Sequence, residues 1–304
     1  MNTVQILALA LVLDALAGEP RWLWSRLPHP VVLLGRAVDR LERRLNRGRH
    51  RRARGVVALA VLLAGASAAG VALEALPAGP LPELLVLTVL LAQRSLVEHV
   101  QAVADALHRT PEEARRTVAR IVGRDTGQMD EPAIARAAIE SAAENFADGV
   151  VAPAFWFLLL GLPGVLACKA VNTADSMIGH MSARYRRFGW ASARLDDLMN
   201  WLPARIGALL ILLAHGCIGA LPAIRRDAAQ HRSPNAGWPE AAMAVALGVA
   251  LAGPRSYGGR MRDFSWINPA GRSRIGAGEI HATVRALWRA WALGGGLVLL
   301  VAIA

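Results

Sequence analysis

Glu140-Ser-Ala-Ala-Glu-Asn-Phe-Ala-Asp148, running straight into the apolar stretch Gly149 to Ala170, is the segment on which the reading of this chain turns. As a helix it places Glu140, Glu144 and Asp148 at i, i+4 and i+8, on one face. Like charges at that spacing repel, so a helix that needed only solubility would gain by alternating sign. Three acids facing one way point to a cation, or to a substrate group that takes acid partners. The apolar run that follows sets them at a membrane surface, where ionisable groups are expensive and functional.

The composition agrees with a membrane setting. The chain is 54% hydrophobic with a mean hydropathy of +0.35, above the roughly 45–50% apolar usage of globular domains. Its net charge is +11, nearly all of it arginine, and Lys169 is the only lysine. The arginines are spread over several segments between apolar spans, with no recognition-helix or zinc-finger pattern, which argues against nucleic acid. Positive charge anchoring cytoplasmic loops accounts for most of them. Cys168 and Cys217 sit in apolar stretches and form neither a disulfide framework nor a zinc site. At the N-terminus, Ile6 to Leu13 with Ala15-Leu16-Ala17 resembles a signal peptide. No basic residue precedes it and Asp14 adjoins the supposed cut, so a retained first helix is expected.

The expected spans are about Thr3–Ala17, Gly55–Leu76, Leu81–Val97, Leu202–Leu221, Trp238–Ala252 and Ala286–Ala304. The arginine-rich segment Arg36–Arg54 reads as a cytoplasmic loop. A helical insertion at about 98–148 is then also cytoplasmic. In it, Thr110-Pro-Glu-Glu113 is a capping box and Asp130 with Pro132 starts the next helix. Gly149–Ala170 is broken by Pro153 and by Gly161-Leu-Pro-Gly164. It is either a kinked span or a re-entrant pair of half-helices, and the basic loops on both flanks favour re-entry. The expected fold is all-α: a polytopic integral membrane protein, one domain over 1–304, with the insertion at about 98–148.

Further polar groups gather near the ends of apolar segments. Asp14…Gly18-Glu-Pro20 is followed by Pro28-His-Pro30, where His29 stands between two prolines. Gly123-Arg-Asp-Thr126 supplies Arg124 and Asp125. Asn172, Asp175 and Ser176 share one helix face, and Asp196 or Asp197 with Asn200 share another. Asp and Asn oxygens are hard ligands that suit Mg²⁺, while Arg194 and Arg205 can clamp phosphate or carboxylate. Any one of these residues alone could be a cap or an interface ion pair. Tyr257-Gly-Gly-Arg260 is too short for a phosphate loop, and no Walker-type loop or nucleophile elbow is present.

Taken in order, these motifs resemble the CobD/CbiB family of cobalamin biosynthesis, the adenosylcobinamide-phosphate synthases. Besides the groups above, the resemblance rests on Glu140-Ser141, Glu144-Asn145, Asp148-Gly149, Phe188-Gly189, Ala193-Arg-Leu-Asp-Asp197, Pro203-Ala-Arg205 and Ser233-Pro-Asn-Ala-Gly237. It implies a multi-pass enzyme of the inner membrane with a cytoplasmic active site. Its substrates would be adenosylcobyric acid and aminopropanol O-phosphate or aminopropanol, joined as an amide at the expense of ATP. Membrane lipid and other proteins of the cobalamin pathway are the further partners implied. On this reading Glu140, Glu144, Asp148 and His29 are catalytic. Arg124, Asp125, Asn145, Asn172, Arg194, Asn200, Arg205 and Asn235 bind substrate or nucleotide. Glu144, Asp175, Asp196 and Asp197 hold Mg²⁺ for ATP, because phosphoryl transfer relies on metal and arginine to stabilise charge. His180 stands where many members of the family carry an aromatic residue.

Two rivals are weighed. In a Mg-dependent membrane prenyltransferase, Asn172-x-x-Asp175 and Asp196-Asp197-x-x-Asn200 would be paired diphosphate motifs, but Glu140–Asp148 has no place there. A transporter of small anions would call for repeat symmetry between halves, which the sequence lacks.

Overall fold

The long apolar runs of the sequence are mostly helical. The computed structural model describes residues 1–18 and 24–304. Its first helices are α1 (Thr3–Ala17), α2 (Pro30–Leu45), α3 (Arg51–Glu74), α4 (Leu81–Leu90), α5 (Gln93–Leu107), α6 (Pro111–Val118) and α7 (Glu131–Phe146). A π-helical turn over Ala147–Val151 leads into α8 (Ala152–Ile178). There follow α9 (Trp190–Met199), α10 (Trp201–Ala214), α11 (Leu221–Ala228) and α12 (Gly237–Leu247), then short strands, then α13 (Ala277–Ile303). Among the described residues α3, the run Glu131–Ile178 and α13 are long and apolar enough to cross a membrane, and α9 with α10 form a bent pair that would serve as a fourth.

The chain divides into two compact units. One comprises 1–92, 152–200 and 298–304; the other comprises 93–151 and 201–297. In the first, α8 packs along α3, with α2, α4 and α9 against the same pair. The break expected in the Gly149–Ala170 run is present at Gly161, whose φ of +63° is open to glycine. The break leaves the Leu162 N–H without a helical acceptor, and Glu74 Oε1 accepts it at 2.8 Å. This is the condition under which broken backbone is tolerated in an apolar setting: a protein group takes over the lost bond.

In the second unit α7 is alanine-rich, and Ala135, Ala137, Ala138, Ala142 and Ala143 are buried on several sides. It packs with α5, α6 and α12 around Ile134, Ile139, Phe146, Ile211, Met243 and Ile280. The insertion at 98–148 therefore shares its core with 201–297. Its helices start where expected, with half of the capping box at Thr110: the Thr110 hydroxyl accepts the Glu113 N–H at 3.2 Å, while the Thr110 N–H donates to the Ala106 carbonyl, and Asp130 accepts the Ala133 N–H at 2.9 Å.

Four expectations are corrected. Arg36–Arg54 is not a loop, since α2 carries Arg36, Arg40, Arg43 and Arg44 as far as Leu45. Leu81–Val97 is interrupted after Leu90, where Leu91 turns extended at φ −72°, ψ 150°. Trp238–Ala252 is not a span, because Gly248 in the left-handed region ends α12 after 11 residues, roughly half a crossing length. Finally, the fold is not purely α. Leu251–Ala252 (β1) pairs with Trp266–Ile267 (β4), and Arg255–Tyr257 (β2) pairs with Arg260–Arg262 (β3), both antiparallel. Gly258 and Gly259, both at positive φ, form the two-residue hairpin turn between β2 and β3.

Candidate functional site

The 93–151/201–297 unit centres its polar groups on Glu140, 2% exposed. Its Oε1 accepts the Ala252 N–H at 2.7 Å. Its Oε2 faces the Arg124 guanidinium and, at 3.3 Å, Arg255 Nη1. Arg255 also lies over the Phe264 ring, 5.1 Å from its centre. Ala252 donates from φ +62°, an uncommon setting for a residue with a Cβ. One carboxylate thus meets two guanidiniums and a backbone N–H in a dry site, so its charge is satisfied by protein.

Arg124 and Asp125 are neighbours with opposite tasks. Arg124 turns inward to Glu140. Asp125 turns outward and accepts from the Gly259 N–H at 2.8 Å and the Ser256 hydroxyl at 2.9 Å. The Gly259 N–H, then Ser256, hold the Asp125 carboxyl below the usual range. Asn145 donates to the Ser141 carbonyl at 2.8 Å, and the Ser141 hydroxyl donates to the Ile121 carbonyl at 2.6 Å. The second of these bonds fixes α7 to the turn that leads to Arg124. Glu144 is exposed and Asp148 is part-buried. Asp148 falls in the π-helical turn, which widens the repeat and takes it off the i, i+4 register expected with Glu140 and Glu144.

Arg205 and Asn235 come together in this unit. The Arg205 guanidinium donates to Asn235 Oδ1 at 3.2 Å and to the Trp201 and Pro234 carbonyls, and lies between the rings of Trp201 and Trp238. Two further groups escaped the sequence reading. Glu240, 3% exposed, has Oε2 without a hydrogen-bond partner among the described residues, and His231 Nε2 lies 3.7 Å from its other oxygen. Burial, then the charges of Glu140 and Glu144, push the Glu240 carboxyl well up, and burial pushes His231 down. Both shifts favour the neutral forms, so this contact is not an ion pair. A histidine in a turn and an acid in an apolar helix carry no local signal of such a meeting.

The other unit holds Asn172, Asp175, Arg194, Asp196, Asp197 and Asn200. Asn200 and Asn172 hydrogen-bond Asp196, and Asp175 lies close enough to Asp196 and Asp197 for their charges to interact. Arg194 Nη1 stands 3.4 Å from Asp197 Oδ2 at the exposed edge. Two buried oxygens, Asp196 Oδ1 and Asn200 Oδ1, have no hydrogen-bond partner among the described residues. Buried polar atoms are nearly always paired, so two orphaned hard oxygens four residues apart mark a place for a donor or a cation. Among the described residues no three His, Cys, Asp or Glu side chains converge as a metal-holding group. The arrangement nevertheless fits Mg²⁺, which takes one or two protein oxygens and completes its shell with water or phosphate.

His29 is also in this unit. Its Nδ1 accepts the Val31 N–H at 3.2 Å as the N-cap of α2, and its ring meets Trp24 edge-on at 4.6 Å. Taking a proton at Nδ1 would break that cap. Asp14 is buried, while Glu19 and Pro20 of the neighbouring motif lie outside the described residues.

Comparison with known proteins agrees along the length of the chain. A family model described as CobD/Cbib protein matches residues 7–287. A cobalamin biosynthesis protein CobD of Rhizobium meliloti (strain 1021) is 53% identical over 302 residues, 94% of this chain and 92% of that protein. One from Brucella anthropi is 48% identical over 311 residues, 97% of this chain and 95% of its own. One from Rhodobacter capsulatus is 49% identical over 276 residues, 88% of each. No solved structure matches the chain.

Proposed function

We infer the function of this chain from its family: it belongs to the CobD/CbiB proteins. Its role is in cobalamin biosynthesis, and a corrinoid is its substrate. The reaction we propose joins the amine of aminopropanol O-phosphate to a propionate carboxylate of adenosylcobyric acid and consumes ATP. The enzyme sits in the inner membrane as a multi-pass protein with its active site on the cytoplasmic side. Three long apolar helices among the described residues support that placement.

The observation that carries the site assignment is the pair of orphaned oxygens, Asp196 Oδ1 and Asn200 Oδ1. They are the residues that would hold Mg²⁺, with Asp175 and Asp197 adding negative charge nearby. Bound there, the ion would neutralise phosphate oxygens of ATP. Asn172 fixes the Asp196 carboxylate by hydrogen bonding it. Arg194, on the exposed edge and paired with Asp197 only at 3.4 Å, can turn to a phosphate oxygen. The propionate oxygen attacks the γ-phosphorus, ADP leaves, and an acyl phosphate forms. The amine then attacks the acyl carbon, inorganic phosphate leaves, and the amine proton passes to a carboxylate. Glu140 and Arg124 are each already the other's partner, so we assign them a structural role within their own unit.

Membranes containing the chain, incubated with adenosylcobyric acid, aminopropanol phosphate, ATP and Mg²⁺, should give adenosylcobinamide phosphate by mass spectrometry. The yield should depend on ATP. Folded protein that forms no amide with either the phosphorylated or the free amine would overturn the reading.

A further inference from the structure

Five arginines crowd one recess in the 1–92/152–200 unit. A cavity of about 620 Å³ at the start of α3 is lined by Arg49, Arg52, Arg186, Arg187, Trp190 and Val56. A second, of about 550 Å³, shares Arg49, Arg186 and Arg187 and adds Arg51. No carboxylate lines either, and none of the five makes an ion pair among the described residues. By contrast Arg43, Arg94, Arg109 and Arg184 all have acidic partners. Gathering guanidiniums round a concave surface is unfavourable unless an anion relieves their repulsion. Arg52 is also oriented: its guanidinium carbon lies 3.7 Å from the centre of the Trp190 ring.

We propose that this recess binds a phosphate group, and that its source is the headgroup of an anionic phospholipid. Guanidinium forks match phosphate oxygens in pairs, which explains arginine rather than lysine here. The choice of lipid rests on what adjoins the recess. Val56 lines it at 45% exposure, and Val57 and Val61, each 53% exposed, continue an apolar face along α3. A soluble phosphate has no use for that surface, whereas a phospholipid brings an acyl chain beside its charged head. A basic pocket at the end of an apolar helix is the form such headgroup sites take. The proposal does not depend on the amide-forming reaction.

The test uses the full chain in nanodiscs of phosphatidylcholine, with and without phosphatidylglycerol, and counts retained lipid by native mass spectrometry. A second arm offers radiolabelled inorganic phosphate in phosphatidylcholine alone. The variant Arg49→Gln/Arg186→Gln/Arg187→Gln should retain phosphatidylglycerol on the order of a hundredfold more weakly, each arginine at an anionic surface being good for about fivefold. The control Arg225→Gln/Arg260→Gln/Arg274→Gln removes the same charge from exposed sites elsewhere and should bind like the wild type. Equal loss in both variants, or in neither, overturns the site. Phosphate bound at the recess without preference for phosphatidylglycerol keeps the phosphate assignment and overturns the lipid source. If the triple variant does not fold, Arg187→Gln alone must weaken retention about fivefold for the site to stand.

Discussion

Glu140 and Asp196 are both carboxylates on helices next to apolar sequence, and their surroundings differ in one respect. Glu140 is matched by Arg124, Arg255 and the Ala252 N–H. Asp196 receives amides from Asn172 and Asn200, yet one of its oxygens, and one of Asn200, stay unpaired among the described residues. The first arrangement is closed, and removing any member leaves a buried charge. The second is open, and the protein alone does not complete it. Acidic residues of similar standing in the sequence therefore divide into those that hold the protein together and those that await something else.

The largest effect tests the closed arrangement. Glu140→Gln keeps the shape and removes the charge, taking from Arg124 and Arg255, with side chains 10% and 11% exposed, the carboxylate they share. Breaking a buried pair in this way costs about 3–5 kcal/mol, to be read as a large fall in unfolding temperature in detergent. Unchanged stability would mean that Glu140 is not a structural ion-pair centre. Asp196→Asn should do the reverse. It preserves size and the amide bonds and removes charge from the open site, so stability should hold while kcat falls about 10²–10³-fold, the scale of losing one stabilising group at a developing charge. If Asp196→Asn lowered stability as much as Glu140→Gln does, the contrast between open and closed sites would be gone.

Arg255→Gln is a milder cut into the closed cluster, because Arg124 and the Ala252 N–H remain on Glu140. The loss of one charged partner should cost about 1.5–3 kcal/mol, the scale of a bond to a charged group, and differential scanning of the purified variant reads it directly. A cost equal to that of Glu140→Gln would show that Arg255, rather than Arg124, carries the pairing.

Hydropathy made the long helices legible, because α1 and α3 are bounded by polar or turn residues that end the apolar run. The break at Gly161 was legible for the same reason, glycine and proline being the local signals of interrupted backbone. The partners were not. Arg255 is more than a hundred residues from Glu140, and only the fold brings them together. The hairpin of β2 and β3 has a signal in Gly258-Gly259, whereas β1 has none, because Leu251–Ala252 closes the apolar run Trp238–Ala252 that reads as a crossing helix. Asp148 shows a limit of periodicity: the i, i+4 rule assumes an α-helix, and a π-helical turn changes the count. The sharing of a face was legible within each helix, Asn172 with Asp175 and Asp196 with Asn200, but the meeting of the two pairs is made only by the fold. That their meeting leaves two oxygens unpaired was not legible.

The smallest effect concerns Asp125, beside the closed cluster but facing water. Its carboxyl is held low, first by the Gly259 N–H and then by the Ser256 hydroxyl. A group with a depressed folded-state pKa stabilises the protein above its unfolded value, about 4 for aspartate. That contribution is lost as the pH falls through the lower folded value. The effect should be local, because the side chain is solvent-exposed and only the hairpin of β2 and β3 hangs on it. Hydrogen exchange at the Gly259 amide should therefore be protected near neutral pH and lose that protection in the acid range below about pH 4. In Asp125→Asn the same amide should show protection that no longer changes with acid, since the amide oxygen still accepts but cannot titrate there. An identical acid dependence in the variant would assign the titration to another group and leave Asp125 a spectator of the hairpin, whatever Arg124 does beside it.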